Sequence, residues 1–251
     1  MKSIYRISTL ATCALLLLAG CASRGTGATV ADTPPTDNIY TVAQDGTTSL
    51  VVGTLEAVLS STPASSLTKE EAEGLLLMRE EEKLAYDVYV VLGAKWGPQP
   101  FQSISSAELT HIDAVKMLLD RYQLSDPADA SIPGHFKNAT LQSLYNDFVA
   151  KGERSRVDAL TIGATIEDLD IYDLERLARE TELQDLQMVY ANLARGSRNH
   201  LRAFVFNLRN VGADYKPQYI SQDAFDKIVS TPIERGRGGG RGHGGRGRGN
   251  Y

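Results

Sequence analysis

Cysteine is nearly absent from this sequence. Its 251 residues include two cysteines, Cys13 and Cys21, and both lie close to the N-terminus. The chain after Cys21 therefore has no thiol for a disulfide, a thiolate metal site or a catalytic nucleophile. This absence excludes cysteine hydrolases, zinc ribbons and CxxC redox enzymes.

The part of the chain between the N-terminal segment and the C-terminal tail, residues 21–234, has no excess of positive charge. The formal charge of the whole sequence is −5, whereas residues 1–20 carry +2 and residues 235–251 carry +5. Residues 21–234 therefore carry −12. This acidic body excludes a basic nucleic-acid-binding core, and no specific nucleic acid is predicted as a partner. The sequence also has no Walker-type loop, no GxSxG elbow and no GxGxxG after a strand.

A long hydrophobic run is the third absence. The apolar stretch at residues 11–18 is shorter than the roughly 20 residues that span a bilayer. It follows Lys2 and Arg6, which is typical of a secretory signal. It ends in Leu-Ala-Gly-Cys, which resembles a bacterial lipoprotein processing site and implies lipidation of Cys21. Because Ala22 is not acidic, we expect an exported, lipid-anchored protein at the outer membrane, facing the periplasm.

The composition predicts four regions. Residues 1–20 form the lipoprotein signal peptide, and residues 21–67, rich in Ser, Thr, Ala, Gly and Pro, form a flexible tether with one short ordered segment near 50–59. Residues 68–230 form a helical domain. Residues 231–251 form a disordered tail that is rich in arginine and glycine.

Capping signals and apolar spacing predict four long helices in the domain. The first starts at the capping box Thr68–Glu71 and ends near residue 95, and the second covers about 101–122. A short helix near 141–149 precedes the third long helix at 155–180. A second capping box at 181–184 opens the fourth, which ends near 212, and a short helix covers 222–229. No segment has the alternation of a strand, so the prediction is all-α.

Each long helix has an apolar stripe that turns polar in its middle. The polar positions are Glu82 on the first helix, Glu108 and His111 on the second, Glu167 and Asp170 on the third, and His200 on the fourth. An ionised carboxylate in a bundle core costs several kcal/mol unless it is paired or bound to a cation. Oxygen and imidazole ligands without sulfur favour iron or manganese.

These residues resemble a family. Around Glu82 the sequence resembles rubrerythrin-type proteins, and residues 68–229 resemble an uncharacterised ferritin-like family of bacteria and archaea, a domain of unknown function. The motifs are MREEEKLA at 78–85, ELTH at 108–111, GATIEDLDIYDL at 163–174 and GSRNHLRAF at 196–204.

The resemblance implies a ferritin-like four-helix bundle with short additional helices. It also implies two irons per chain, with Glu108 as the bridging ligand. The implied chemistry is oxidation of Fe(II) by oxygen or peroxide, or reduction of peroxide. Ser197 departs from the pattern, because it stands where the second Glu-x-x-His would have its glutamate. Asp170 on the third helix could take that role; otherwise the second metal is weakly held, or only one metal binds.

Several positions keep a second interpretation. Glu82 lies in the charge run 80–83, which would ordinarily face solvent, and Glu81 is the alternative ligand. His200 could instead hydrogen-bond Asp170 or Tyr172. Tyrosines 86, 89 and 172 are predicted to pack in the bundle, and the alternative is a radical role or a supporting role around the ligands. His135 and His243 are given no role.

A second function also remains open. In it, the bundle is a non-catalytic envelope protein. The acidic residues in the middle of the apolar stripes, called the acidic seam residues, then pair with arginine and tyrosine. The Arg/Gly tail would then bind an anionic polymer such as lipopolysaccharide or extracellular DNA. The expected partners are the membrane, through Cys21, this anionic polymer and a second copy of the chain in a homodimer.

Overall fold

A computed structural model describes residues 39–97 and 99–235 of the chain. The predicted signal peptide, the lipidation site at Cys21 and the Arg/Gly tail after residue 235 lie outside the described residues. His243 also lies outside them.

Helices dominate the described part of the chain, which confirms the all-α prediction. The long helices are α2 (Lys69–Trp96), α3 (Phe101–Arg121), α5 (Arg156–Glu180) and α6 (Gln184–Asn210). The short helices are α1 (Val52–Ser61), α4 (Ala139–Gly152) and α7 (Gln222–Ser230). No helix in the described ranges is long and apolar enough to cross a membrane.

The four long helices form a bundle. Helix α2 packs against α3 and α5, and α6 packs against α5 and α3, so each long helix has two long neighbours. Helix α4 covers α2 and α5 from outside this ring. Two apolar clusters fill the bundle, one around Tyr89 and Phe204 and the other around Leu118 and Leu186.

The first predicted capping box is present and the second is not. The Thr68 hydroxyl accepts a hydrogen bond from the Glu71 amide at 3.2 Å, and the Glu71 carboxylate accepts one from the Thr68 amide at 2.8 Å. Helix α6 instead begins after Leu183 without a side-chain cap. The Thr181 hydroxyl donates a hydrogen bond to the Glu71 carboxylate on α2 and accepts one from the Leu183 amide, which precedes α6.

Part of the predicted tether is folded onto the bundle. Residues 39–61 contain an antiparallel hairpin, β1 (Tyr40–Val42) and β2 (Thr48–Leu50), followed by α1. Ile39 and Leu55 are completely buried in one apolar cluster of the bundle. The packed region therefore starts well before residue 68. The expectation of no strand was wrong here, because three-residue strands are too short to show alternation.

Candidate metal centre

The six predicted site residues lie in one buried layer of the bundle. Each has a side chain on a long helix, and none is more than 1% exposed. They are Glu82 on α2, Glu108 and His111 on α3, Glu167 and Asp170 on α5, and His200 on α6. Along these helices, the neighbouring core residues belong to two separate apolar clusters. The polar layer therefore lies between the two clusters.

One group of three ligand atoms forms between α2 and α3. The His111 Nδ1 atom lies 2.8 Å from Glu108 Oε2 and 3.3 Å from Glu82 Oε2. Glu108 and His111 are three residues apart on one helix, so their side chains share a face. All three ligand atoms lie within 4.8 Å of one another, which is close enough to hold one ion.

A second group uses the other oxygen of Glu108. The His200 Nδ1 atom lies 2.9 Å from Glu108 Oε1 and 3.7 Å from Glu167 Oε1. These ligand atoms also lie within 4.8 Å of one another. Glu108 thus belongs to both groups, one oxygen to each, which is the geometry expected of a bridging carboxylate.

The atoms that face this layer lack hydrogen-bond partners. Both oxygens of Glu82 and of Asp170 are unpartnered, and so are Glu108 Oε1, Glu167 Oε2 and the Nδ1 atoms of both histidines. The short contacts from the two Nδ1 atoms to the carboxylates do not have hydrogen-bond geometry. Buried polar atoms are normally paired, so this concentration of unpartnered oxygen and nitrogen atoms in one layer fits a bound cation. A cation among Glu82, Glu108 and His111, or among Glu108, Glu167 and His200, would give most of these atoms a partner.

Burial and mutual repulsion move the pKa values of these groups. Burial raises the pKa of Glu82 to about 7 despite the nearby His111. Burial also raises the pKa of Asp170 well above its ordinary value, and the surrounding carboxylates add to the effect. Burial acts in the same direction on Glu108, but its two histidine neighbours outweigh it and keep the pKa of Glu108 low. Without a cation, the layer therefore holds protons on some of its carboxyl groups.

The histidines respond to the same carboxylates. Burial lowers the pKa of His200, but Glu108 and Glu167 outweigh it and raise the value to about 9. The pKa of His111 is raised well above its ordinary value by Glu108 and Glu82, again against burial. A cation in the layer would offset these negative charges and favour neutral imidazoles.

The hairpin supplies a contact that the sequence did not predict. The Thr48 amide donates to His200 Nε2 at 3.2 Å, and the Thr48 carbonyl lies 3.2 Å from His111 Nε2. Thr48 is itself held by Asn199, whose side-chain amide donates to the Thr48 hydroxyl at 2.7 Å. A carbonyl that accepts from the outer nitrogen, as at His111, is the kind of partner that orients a ligating histidine in metal sites. No sequence signal marks Thr48, because its backbone makes these contacts.

Tyr89 supports the other side of the layer. It is completely buried, and its hydroxyl donates to Glu167 Oε1 at 2.6 Å. Its ring also packs against Phe204, with centroids 5.2 Å apart, so it both packs and holds a candidate ligand. Tyr172, by contrast, is 44% exposed.

Ser197 and Asp170 do not replace the missing glutamate. The Ser197 hydroxyl donates to the Leu193 carbonyl within its own helix at 3.2 Å. Asp170 is buried and unpartnered, but it is not a member of either three-residue group. The second shared carboxylate of the ferritin-like template therefore has no counterpart in the two groups.

The charge run at residues 80–83 is buried rather than exposed. Glu80 accepts hydrogen bonds from the amides of Lys137 and Asn138, and Lys83 pairs with Asp87. Glu82 is the glutamate of this run that joins a group of candidate ligands; Glu81 does not.

His135, which has no predicted role, is exposed.

The alternative pairings predicted from the sequence are mostly not formed. Of the acidic seam residues, Glu167 has a tyrosine partner, Tyr89. In the described ranges, no arginine makes an ion pair with Glu82, Glu108 or Asp170. His200 contacts Thr48, Glu108 and Glu167 rather than bonding to Asp170 or Tyr172.

The candidate ligands are carboxylate oxygens and imidazole nitrogens, and this set of donor atoms fits iron or manganese.

Comparison with known proteins gives a family but no activity. The uncharacterized protein MJ0754 of Methanocaldococcus jannaschii is 51% identical over 178 residues, covering 71% of this chain and 96% of that protein. The crystal structure of hypothetical protein MJ0754 superposes with a TM-score of 0.68 at 50% identity, covering 69% of this chain and 99% of that chain. Residues 71–232 match the family described as an uncharacterized protein domain, DUF2202. The chain therefore belongs to the DUF2202 domain family.

Proposed function

We propose that this protein is a ferritin-like metal-binding protein that holds iron in its buried layer and oxidises Fe(II) or reduces peroxide or oxygen. The observation that carries the proposal is the pair of ligand groups joined by Glu108, whose facing atoms have no hydrogen-bond partner. Manganese is the second metal that this donor set suits.

The residues of the layer have separable roles. Glu108 joins the two groups, Glu82 and Glu167 close them from α2 and α5, and His111 supplies nitrogen from α3. His200 lies beside Glu108 and Glu167 on α6. Tyr89 fixes one oxygen of Glu167. An iron pair bound here would supply the two electrons that, with two protons, convert one hydrogen peroxide to two water molecules.

Metal binding is coupled to proton release in this layer. Burial raises the pKa of Glu82 to about 7, so near neutral pH a metal must displace a proton from this carboxyl group in part of the molecules. The two apolar clusters lie on either side of the layer and separate it from bulk water.

Metal content with Fe(II) oxidation tests this function. The full chain is loaded with Fe(II) without oxygen, and bound iron is measured before peroxide or oxygen is added. We expect iron to bind and then to be oxidised faster than in buffer. Glu108→Gln should abolish both, because Glu108 belongs to both ligand groups.

The matched control is Asp113→Asn, because Asp113 is an exposed carboxylate on the same helix. It should bind and oxidise iron like the wild type. A folded wild-type protein that binds no iron or manganese would contradict the proposal. Iron binding without faster Fe(II) oxidation would limit the proposed function to metal storage or buffering.

We also propose, from the sequence pattern alone, that the protein is exported and lipid-anchored at Cys21. Mass spectrometry of the N-terminal peptide from membranes tests this. A lipidated Cys21 at the N-terminus is the expected result, and an unmodified peptide that still includes residues 1–20 would contradict it.

A further inference from the structure

The backbone of Thr48 contacts both candidate histidine ligands, donating a hydrogen bond to one and accepting from the other. Thr48 is 1% exposed, and the rings of His111 and His200 stack beside it with centroids 5.5 Å apart and planes 20° apart. Its amide contacts one ring and its carbonyl contacts the other. An amide can only donate a hydrogen bond, and a carbonyl can only accept one.

The contact with the amide fixes the hydrogen position on His200. Because the Thr48 N–H donates to Nε2, that nitrogen must present its lone pair. In a neutral imidazole the ring hydrogen then lies on Nδ1, the atom that faces Glu108 at 2.9 Å. A protonated Nδ1 has no lone pair for a metal.

The contact with the carbonyl has the opposite effect on His111. Because the Thr48 carbonyl accepts, His111 Nε2 carries the hydrogen. The lone pair of the neutral ring is then on Nδ1, which faces Glu82 and Glu108. A ligating histidine whose other nitrogen donates to a backbone carbonyl is the usual arrangement in metal sites.

We propose that Thr48 makes the two halves of the centre unequal, so that a metal binds tightly at Glu82, Glu108 and His111 and weakly at Glu108, Glu167 and His200. This inference rests on the proposed function and specifies which half holds the metal. In it, His111 is a ligand, His200 carries hydrogen on Nδ1 and is not a ligand, and Thr48 is a positioning residue.

One further difference between the halves acts in the same direction. Both oxygens of Glu82 are free of hydrogen bonds, whereas Glu167 Oε1 already accepts one from Tyr89 and only Glu167 Oε2 is unpartnered. The half with His200 therefore has fewer available donor atoms.

The hydrogen positions can be measured directly in the wild-type protein. The full chain is loaded with Zn(II), which is redox-inert and takes nitrogen and oxygen ligands. Long-range ¹H–¹⁵N spectra of the histidine rings then show which nitrogen carries hydrogen. We expect His200 to carry it on Nδ1 and His111 on Nε2. A His200 ring protonated at Nε2 and bound to zinc through Nδ1 would overturn the inference.

Binding isotherms with matched variants give the second test. The wild type should bind one Zn(II) at least about tenfold more tightly than any second. His111→Gln should weaken the tight site by about tenfold or more, while His200→Gln should change it by less than about threefold. Circular dichroism and the unfolding midpoint confirm that both variants are folded.

The outcomes separate this inference from the proposed function. Two zinc ions bound with equal affinity, or loss of the tight site in His200→Gln, would overturn the inequality and leave the metal-binding function in place. A folded wild-type protein that binds no zinc, iron or manganese would overturn both.

Discussion

Two pairs of buried carboxylates, each separated by one residue in the sequence, differ completely in their surroundings. Asp168 accepts hydrogen bonds from the Tyr215 hydroxyl and from the amides of residues 218–220, whereas both oxygens of Asp170 are unpartnered. Glu80 likewise accepts from two backbone amides, and Glu82 has no hydrogen-bond partner. All four side chains are at most 3% exposed.

The comparison teaches that burial alone does not distinguish a structural acid from a candidate ligand. Asp168 and Glu80 hold loops against the bundle, because backbone amides that would otherwise be buried without partners bond to them. Glu82 and Asp170 hold nothing in place. They impose a desolvation cost that only a proton or a cation relieves, which is the property expected near a metal centre.

The largest expected effect separates Asp168 from Asp170. Asp168→Asn should lower the free energy of unfolding by about 3 kcal/mol, because its amide group cannot accept from all four donors. Asp170→Asn should stay within about 1 kcal/mol of the wild type, since no hydrogen bond is lost. Urea unfolding in the presence of a chelator measures both. Equal losses would remove the distinction between the two acids.

The next effect separates Glu82 from Glu80 by metal binding. Glu82→Gln should weaken the first metal at least about tenfold, because it removes a charged donor from the tight group. Glu80→Gln should lower stability but leave metal affinity within about threefold, since Glu80 bonds to the amides of Lys137 and Asn138. Competition with a chelator measures the affinities, and a larger loss in Glu80→Gln would reverse the assignment.

Metal affinity should also fall as the pH falls. The pKa of Glu82 is raised by burial to about 7, so below this pH its carboxyl group is neutral and a metal must displace a proton. Between pH 8 and pH 6 this group alone should weaken binding by about tenfold. Chelator competition at several pH values, with proton release in weak buffer, measures the effect. An affinity that rises toward acid would contradict the roles given to these carboxylates.

The smallest expected effect concerns the space around His111. A Cβ at Gly196 would lie 2.6 Å from His111 Cε1, and the ring cannot retreat freely because its Nε2 contacts the Thr48 carbonyl. Gly196→Ala should therefore weaken metal binding several-fold through displacement of His111. Gly53→Ala is the control, because an added Cβ there meets no atom within 4 Å. Equal affinities in the two variants would show that the ring position is not critical.

Much of the fold and most of the buried carboxylate and histidine layer could be predicted from the sequence. Helical spacing placed Glu82, Glu108, His111 and Glu167 at the middle of apolar stripes, and the structure brings these side chains together. Local rules also found the start of α2, where Thr68 and Glu71 cap each other. These predictions succeeded because they depend on residues within one or two helical turns.

The rest depends on contacts between distant parts of the chain. Thr48 reaches His200 through its backbone, across 152 positions, so its side-chain type carries no signal of this role. The burial of Glu80 likewise depends on amides far along the chain, at Lys137 and Asn138. At Thr181 the hydroxyl contacts Glu71 on another helix, and α6 begins only after Leu183. Tertiary partners override local patterns in each case.

The location of bound metal tests the central claim most directly. Crystals of the full chain grown with Fe(II) without oxygen, and measured at the iron absorption edge, reveal iron by its anomalous scattering. The strongest peak is predicted among Glu82, Glu108 and His111, with a weaker or absent peak beside Glu167 and His200. No anomalous peak in the buried layer of fully loaded crystals would contradict the account.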